Sequence, residues 1–266
     1  MSEPAFIPLD VDDPRAPSQA DWDRLTPQQR QHFVDHLPTE FPLIIAPEGD
    51  LHRRTKEQAF QALDEYFRRT RRSIYLSSEL PVYYPAEAMF APDIIAVLDV
   101  EPHERKGWVV SHEGKGLDFA LEIHAFGRRA KDFQYNVERF ARLRIPEYFA
   151  FDPERNHLQG WRLSPKPEVD DYQPIIPQEG RWSSEVLGLD LALGDRRLSF
   201  FHGSAELLDG RNLVRRLSSM VDDAVRRAES EARRAEDETL RAEGEARRAE
   251  RLAARLRELG VDPDAD

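Results

Sequence analysis

The residues best placed to do chemistry are two acids set in apolar sequence. Glu122 lies in "DFALEIHAF" (118–126), where Phe119, Leu121 and Ile123 alternate with Asp118, Glu122 and His124. A period of two puts the first three on one face of a strand and the last three on the other. Burying a lone carboxylate costs roughly several kcal/mol unless a partner or a metal compensates. The candidate partner is Asp93, in "FAPDIIAVLD", which starts an apolar strand just after Pro92. Two carboxylates at matched ends of adjacent strands can hold a divalent cation. Mg²⁺ suits such a pair, because it takes one or two carboxylates and completes its shell with water and phosphate oxygens. An ion of this kind generates a hydroxide-like nucleophile and stabilises charge on a phosphoryl group. The competing reading is that Asp93 caps a turn and Glu122 pairs with an arginine.

The elements that must position these acids follow from pattern. Thr26 is an expected N-cap with Pro27 at the first helical position, so a short helix follows. "FPLIIAPEGD" (41–50) reads as a short strand ending in a turn. "TKEQAFQALDEYFRRT" carries Ala59, Leu63 and Phe67 on one stripe, which makes an amphipathic helix. Short strands come next, in "SIYLSS", "PVYYP", "DIIAVLDV" and "DFALEIHA". A helix is expected around 131–143, then strands in "EYFAFDP", "HLQGWRL", "YQPIIP", "RWSSEVL" and "RLSFFHG". Strands mixed with two long helices predict an α/β domain, a sheet covered by helices.

Bulk properties bound the rest. The 266 residues suffice for one sizeable domain plus an extension. There is no cysteine, which excludes disulfides and thiolate sites and fits the cytosol. The N-terminus lacks the basic and apolar regions of a signal peptide, and no stretch approaches the ~20 apolar residues of a membrane-spanning helix. A net charge of −12 argues against broad coating of nucleic acid but leaves room for a local basic cleft. Only five of the 38 basic residues are lysine, namely Lys56, Lys106, Lys115, Lys131 and Lys166.

Four segments are expected: a flexible end over 1–20, the main domain over 21–205, a helix over 206–258 and a tail over 259–266. From Val221 to Leu256, valine, alanine, threonine and leucine recur at spacings of four and three, a heptad seam. The outer positions are almost wholly arginine and glutamate. The helix is expected to project from the domain and to join two copies of the chain. A solitary solvated helix held by Glu–Arg pairs is the alternative. The seam is mostly alanine and buries little area, and Gly244 weakens it by about 1 kcal/mol relative to alanine.

"APDIIAVLD" followed by "LEIHAFGRRAKDFQYNVERFARLRIPEYFAFDPERNHLQGWRL" resembles the Uma-two family of restriction endonucleases, within the PD-(D/E)XK nuclease superfamily. The resemblance runs from roughly Leu51 to Leu163. It is most specific at Pro92–Asp93, at Glu122 and along "ARLRIPEYFAFDP" (141–153), and "LRELGVDPD" at the end is similar too. It implies a restriction-endonuclease-like mixed sheet flanked by helices, with a long C-terminal helix. It also implies divalent-metal-dependent cleavage of phosphodiester bonds in nucleic acid, with DNA the first substrate to expect. Asp93 and Glu122 would be the ligands of Mg²⁺ or Mn²⁺. The other reading is a non-catalytic binding or interaction module of the same fold, assembled through its helical tail.

The resemblance breaks at the lysine. The superfamily pattern wants a lysine two residues after the acid, where this chain has His124. In the Uma-two family that lysine has usually moved to the following helix, and the matching position here is Asn136. The nearest lysine is Lys131. On a helical wheel whose inward stripe is Phe133, Val137 and Phe140, Asn136 lies about 60° from Phe133, Asp132 about 100° and Lys131 about 160°. Lys131 therefore reaches the acids only from the "GRRAK" loop ahead of the helix. As a third catalytic residue it competes with His124, which shares a strand face with Glu122, and with the reading of both as ordinary residues. Arg128 and Arg129 can meet phosphates or sit in solvent. Glu79 is a weaker acidic contributor, and Trp108, Trp161 and Trp182 are expected to pack on the sheet.

Overall fold

The computed structural model describes residues 14–37, 49–124, 129–165, 171–208 and 210–259. Of the expected strand at 41–50 only Gly49 and Asp50 are among them, at the start of a helix, and Arg128 and nearly all of the tail lie outside. In chain order the helices are α1 (Gln19–Arg24), α2 (Pro27–Asp35), α3 (Asp50–Thr70), α4 (Val110–Glu113), α5 (Asn136–Arg142) and α6 (Gly210–Glu258). The strands are β1 (Ile74–Ser77), β2 (Val82–Tyr83), β3 (Ile94–Leu98), β4 (Trp108–Val109), β5 (Phe119–Ile123), β6 (Glu147–Asp152), β7 (His157–Leu163), β8 (Tyr172–Pro174), β9 (Arg181–Ser184), β10 (Leu189–Leu193), β11 (Leu198–His202) and β12 (Ala205–Glu206). A π-helical turn, Lys131–Tyr135, runs directly into α5.

The main sheet has the order β1-β3-β5-β6-β7-β8. Only the β5–β6 pair is parallel, and the other neighbours are antiparallel, so the sheet is mixed as expected. The parallel pair needs a crossover, and the π-turn with α5 supplies it. A second, antiparallel sheet is ordered β12-β11-β10-β9, and β2 pairs with β4.

Both faces of the main sheet are covered. On one, the predicted stripe Ala59, Leu63 and Phe67 of α3 packs with Phe119, Leu121, Ile123, Phe149 and Phe151, and with Leu191 and Phe200 of the second sheet. On the other, Phe140 and Ala141 of α5 pack with Ile95, Val97, Ala120, Tyr148, Trp108 and Trp161. β5 is consequently buried at all five positions, and the face shared by Glu122 and His124 is not a solvated one. Trp182 is partly buried beside the α3 cluster.

Local signals at the start of the chain hold. Thr26 caps α2, and its hydroxyl and the Gln29 side chain form a reciprocal capping box with Pro27 at the first turn. Of the end expected to be loose, residues 14–20 lie against the domain: Ala16 is buried and bridges to Pro85, Arg15 bridges to Ala88, and α1 already begins at Gln19. Trp22 of α1 and Phe33 of α2 build a third apolar cluster with Tyr83 and Val109.

The chain divides into two compact units, residues 1–210 and 211–266. The second consists of α6 from Arg211 onward, on which Val214, Leu217, Val221 and Val225 are exposed. Among the described residues no helix is long and apolar enough to cross a membrane.

Candidate active site

β3 and β5 run antiparallel, with Ile94 opposite Leu121 and Ile95 opposite Ala120. One step further along the same register sets Asp93 opposite Glu122. Directly opposed residues of an antiparallel pair project to the same face. Pro92 keeps this end of β3 from continuing as an ordinary ladder, since it has no N–H to donate. The turn after β1 holds the segment instead. The Glu79 N–H donates to the Pro92 carbonyl (3.1 Å), and the Ser78 hydroxyl donates to the Asp93 carbonyl (2.8 Å). Glu79 achieves this at a left-handed φ of 54°.

Both acids are buried, at 7% exposure for Asp93 and 9% for Glu122. Asp93 Oδ2 accepts the Ile123 N–H at 2.6 Å and lies 3.2 Å from His52 Nε2. Glu122 Oε1 accepts from Asn136 Nδ2 at 3.2 Å. Burial above all, and then the Asp93 carboxylate, push the Glu122 carboxyl well above its ordinary range. Asp132 adds to the rise, while Lys131 and the Asp93 main chain oppose it.

Asn136, the position that matches the family's lysine, is 2% exposed and sits on Glu122. Lys131 opens the π-turn; its side chain is 67% exposed, with Nζ 4.0 Å from Asp132 Oδ1. His124 is buried and its Nδ1 lies 2.8 Å from Asp132 Oδ2. Asp132 is itself buried, although a regular wheel turns it well away from the Phe133 stripe. It is covered by its contact with His124, within a turn in which the Asn136 N–H reaches back five residues to the Lys131 carbonyl. Arg129 is engaged by Asp152 (3.3 Å) and stacks over Phe133, and Glu79 pairs with the buried Lys56.

His52 was absent from the sequence-based candidates. A signal for it existed, because His52 and Lys56 extend the α3 stripe of Ala59, Leu63 and Phe67 at spacings of four and three. Polar residues on a stripe that faces the sheet are the anomaly that marks them. Asp132 gave no comparable signal.

A mixed sheet with two buried carboxylates opposed at one end of neighbouring strands defines a restriction-endonuclease-like α/β protein. Residues 26–194 match the family described as "Uma2: Putative restriction endonuclease". The chain belongs to that family. Among solved structures it is similar to a putative nuclease belonging to DUF820 from Anabaena variabilis ATCC 29413, with 13% identity, 56% of this chain and 81% of that chain covered, and a TM-score of 0.43. Among curated proteins none matches.

Among the described residues no group of three or more His, Asp or Glu is arranged to hold a divalent ion. A two-carboxylate site of the Mg²⁺ kind needs no third. Two opposed, buried carboxylates, with Asp93 raising the proton affinity of Glu122, fit a bound cation, since the ion supplies the positive charge that the site lacks.

Proposed function

We propose that the protein is a divalent-metal-dependent nuclease that hydrolyses phosphodiester bonds in nucleic acid, DNA first, in the cytoplasm. Asp93 and Glu122 would hold Mg²⁺ or Mn²⁺, which would activate a water and stabilise phosphoryl charge. The observation that carries the reading is the opposition of these two buried acids, with the Glu122 carboxyl pushed upward by burial and by Asp93. Asn136 orients Glu122 but cannot supply a positive charge. Lys131 is the proposed third catalytic residue. Its charge favours the ionised form of Glu122, and its exposed ammonium would meet a phosphate that entered the site. His124, held by Asp132, is its competitor. Pairing of two copies through α6 belongs to the same proposal.

The test is cleavage of single- and double-stranded DNA and RNA with Mg²⁺ or Mn²⁺ and with EDTA. Cation-dependent cutting that Asp93→Ala abolishes supports the reading, and cutting unaffected by that change removes it. One observation favours a non-catalytic binding module of the same fold: the buried position facing Glu122 carries an amide where the family's lysine is expected. Binding of nucleic acid without cleavage under every cation would favour that second reading.

A further inference from the structure

We propose that His52, projecting from α3, is a positioning residue for Asp93: its Nε2–H holds Oδ2 and so presents Oδ1 to the cation. The inference rests on the metal reading given above.

Two donors converge on one oxygen of Asp93. The Ile123 N–H meets Oδ2 at 2.6 Å and His52 Nε2 lies 3.2 Å from the same atom. Two donors on one oxygen restrict rotation of the carboxylate, and a carboxylate ligand held in one orientation binds an ion without first losing rotamer freedom. The histidine is well placed to hold that geometry. Its side chain is 12% exposed, and it sits in the first turns of a 21-residue helix whose apolar stripe is anchored in the core. One turn on, the buried Lys56 binds Glu79, whose N–H donates to the Pro92 carbonyl. α3 thus fixes the Asp93 segment twice, through its side chain and through the main chain just before it. His52 Nε2 lies within hydrogen-bond distance of Asp93 Oδ2 itself, which sets it behind Asp93 and not beside it as a further ligand.

The experiment measures Mn²⁺ affinity by electron paramagnetic resonance, and Mg²⁺ affinity by calorimetry, on the full chain and on His52→Ala, His52→Gln and Asp93→Asn. Thermal melts in EDTA establish that each variant is folded. His52→Ala is expected to weaken cation binding about 10- to 100-fold. His52→Gln, whose side-chain amide can still donate, is expected to recover most of the loss. Asp93→Asn is expected to abolish binding. Equal weakening in the alanine and glutamine variants would reduce His52 to packing and overturn the inference, as would wild-type affinity in His52→Ala beside a loss in Asp93→Asn. If the wild-type chain binds neither ion, the metal reading itself fails and this inference falls with it.

Discussion

Glu122 is a buried carboxyl whose proton affinity the fold raises. Its carboxyl is raised above its ordinary value of 4.5, first by burial and then by Asp93, so the cation-free folded chain holds that proton more tightly than the unfolded chain. Below the ordinary value both states are protonated and Glu122 costs nothing. As pH rises past it, only the folded state still holds the proton, and stability falls until the raised value is passed. Glu122→Gln removes this loss. In EDTA the variant should melt at a higher temperature than the wild type, by a margin that widens as pH rises above the ordinary carboxylate value; a constant or negative margin would contradict the assignment. Lys131→Ala should lower cleavage about a hundredfold or more while cation affinity is largely kept. If His124→Ala has that effect instead, the histidine carries the role. Asn136→Lys returns an ammonium to the position facing Glu122. It should raise cleavage about tenfold or more and flatten the pH dependence of the melt, because the new charge lowers the Glu122 carboxyl. Single-turnover rates of the three variants decide between them.

At the scale of elements, the site depends on how closely β3, β5 and β6 pack and on what lies across from them. Phe149 on β6 faces Gly160 on β7, and a Cβ at Gly160 would come within 2.5 Å of the Phe149 ring. The ring is fully buried and shares a cluster with Leu121 and Ile123, on either side of Glu122 in β5. Gly160→Ala should therefore destabilise the domain by about 1–3 kcal/mol, as overpacking does. Urea denaturation would show a lower midpoint at an unchanged slope; a change within error would mean that the ring has room to turn. The π-turn has a comparable consequence for the crossover. Asp132 within it meets His124 and Asn136 at its end meets Glu122, so deleting one residue from 131–135 should separate the two contacts.

On the scale of the whole chain, the clusters of the domain are built from residues up to Leu207. Removing residues 221–266 should leave a folded, soluble core with the same melting temperature within a few degrees, read by circular dichroism. The seam of α6 sets a condition on association. Beside its alanines stand Glu229 and Glu231, Glu236 and Glu238, and Glu243 and Glu245, with the arginine pairs Arg226–Arg227, Arg233–Arg234 and Arg247–Arg248 turned away from it. Two copies joined along this seam bring carboxylates to face carboxylates, which opposes pairing in either direction. Association should accordingly strengthen with added salt, which screens the repulsion, and with acid, which neutralises it. Sedimentation of the full chain and the truncation across salt concentrations tests this. A full chain that is monomeric throughout rejects pairing through α6.

Patterns along the chain were enough for the mixed α/β class, the α3 stripe, the Thr26 cap, and the two acids with the strands that carry them. Each of these is a local matter: a period of two or of 3.6, a capping side chain, or a carboxylate where an apolar run would exclude one. The apolar members of α3 define its stripe, but no local rule pairs His52 with an acid 41 positions away. Tertiary packing decided that contact. It also decided that β5 is buried on both faces, since alternation along one strand does not reveal what covers its second side. The exposure of Lys131 follows from the wheel, which turns it about 160° from the inward stripe, whereas the burial of Asp132 depends on its contact with His124, a residue just past β5 that no helical period reveals.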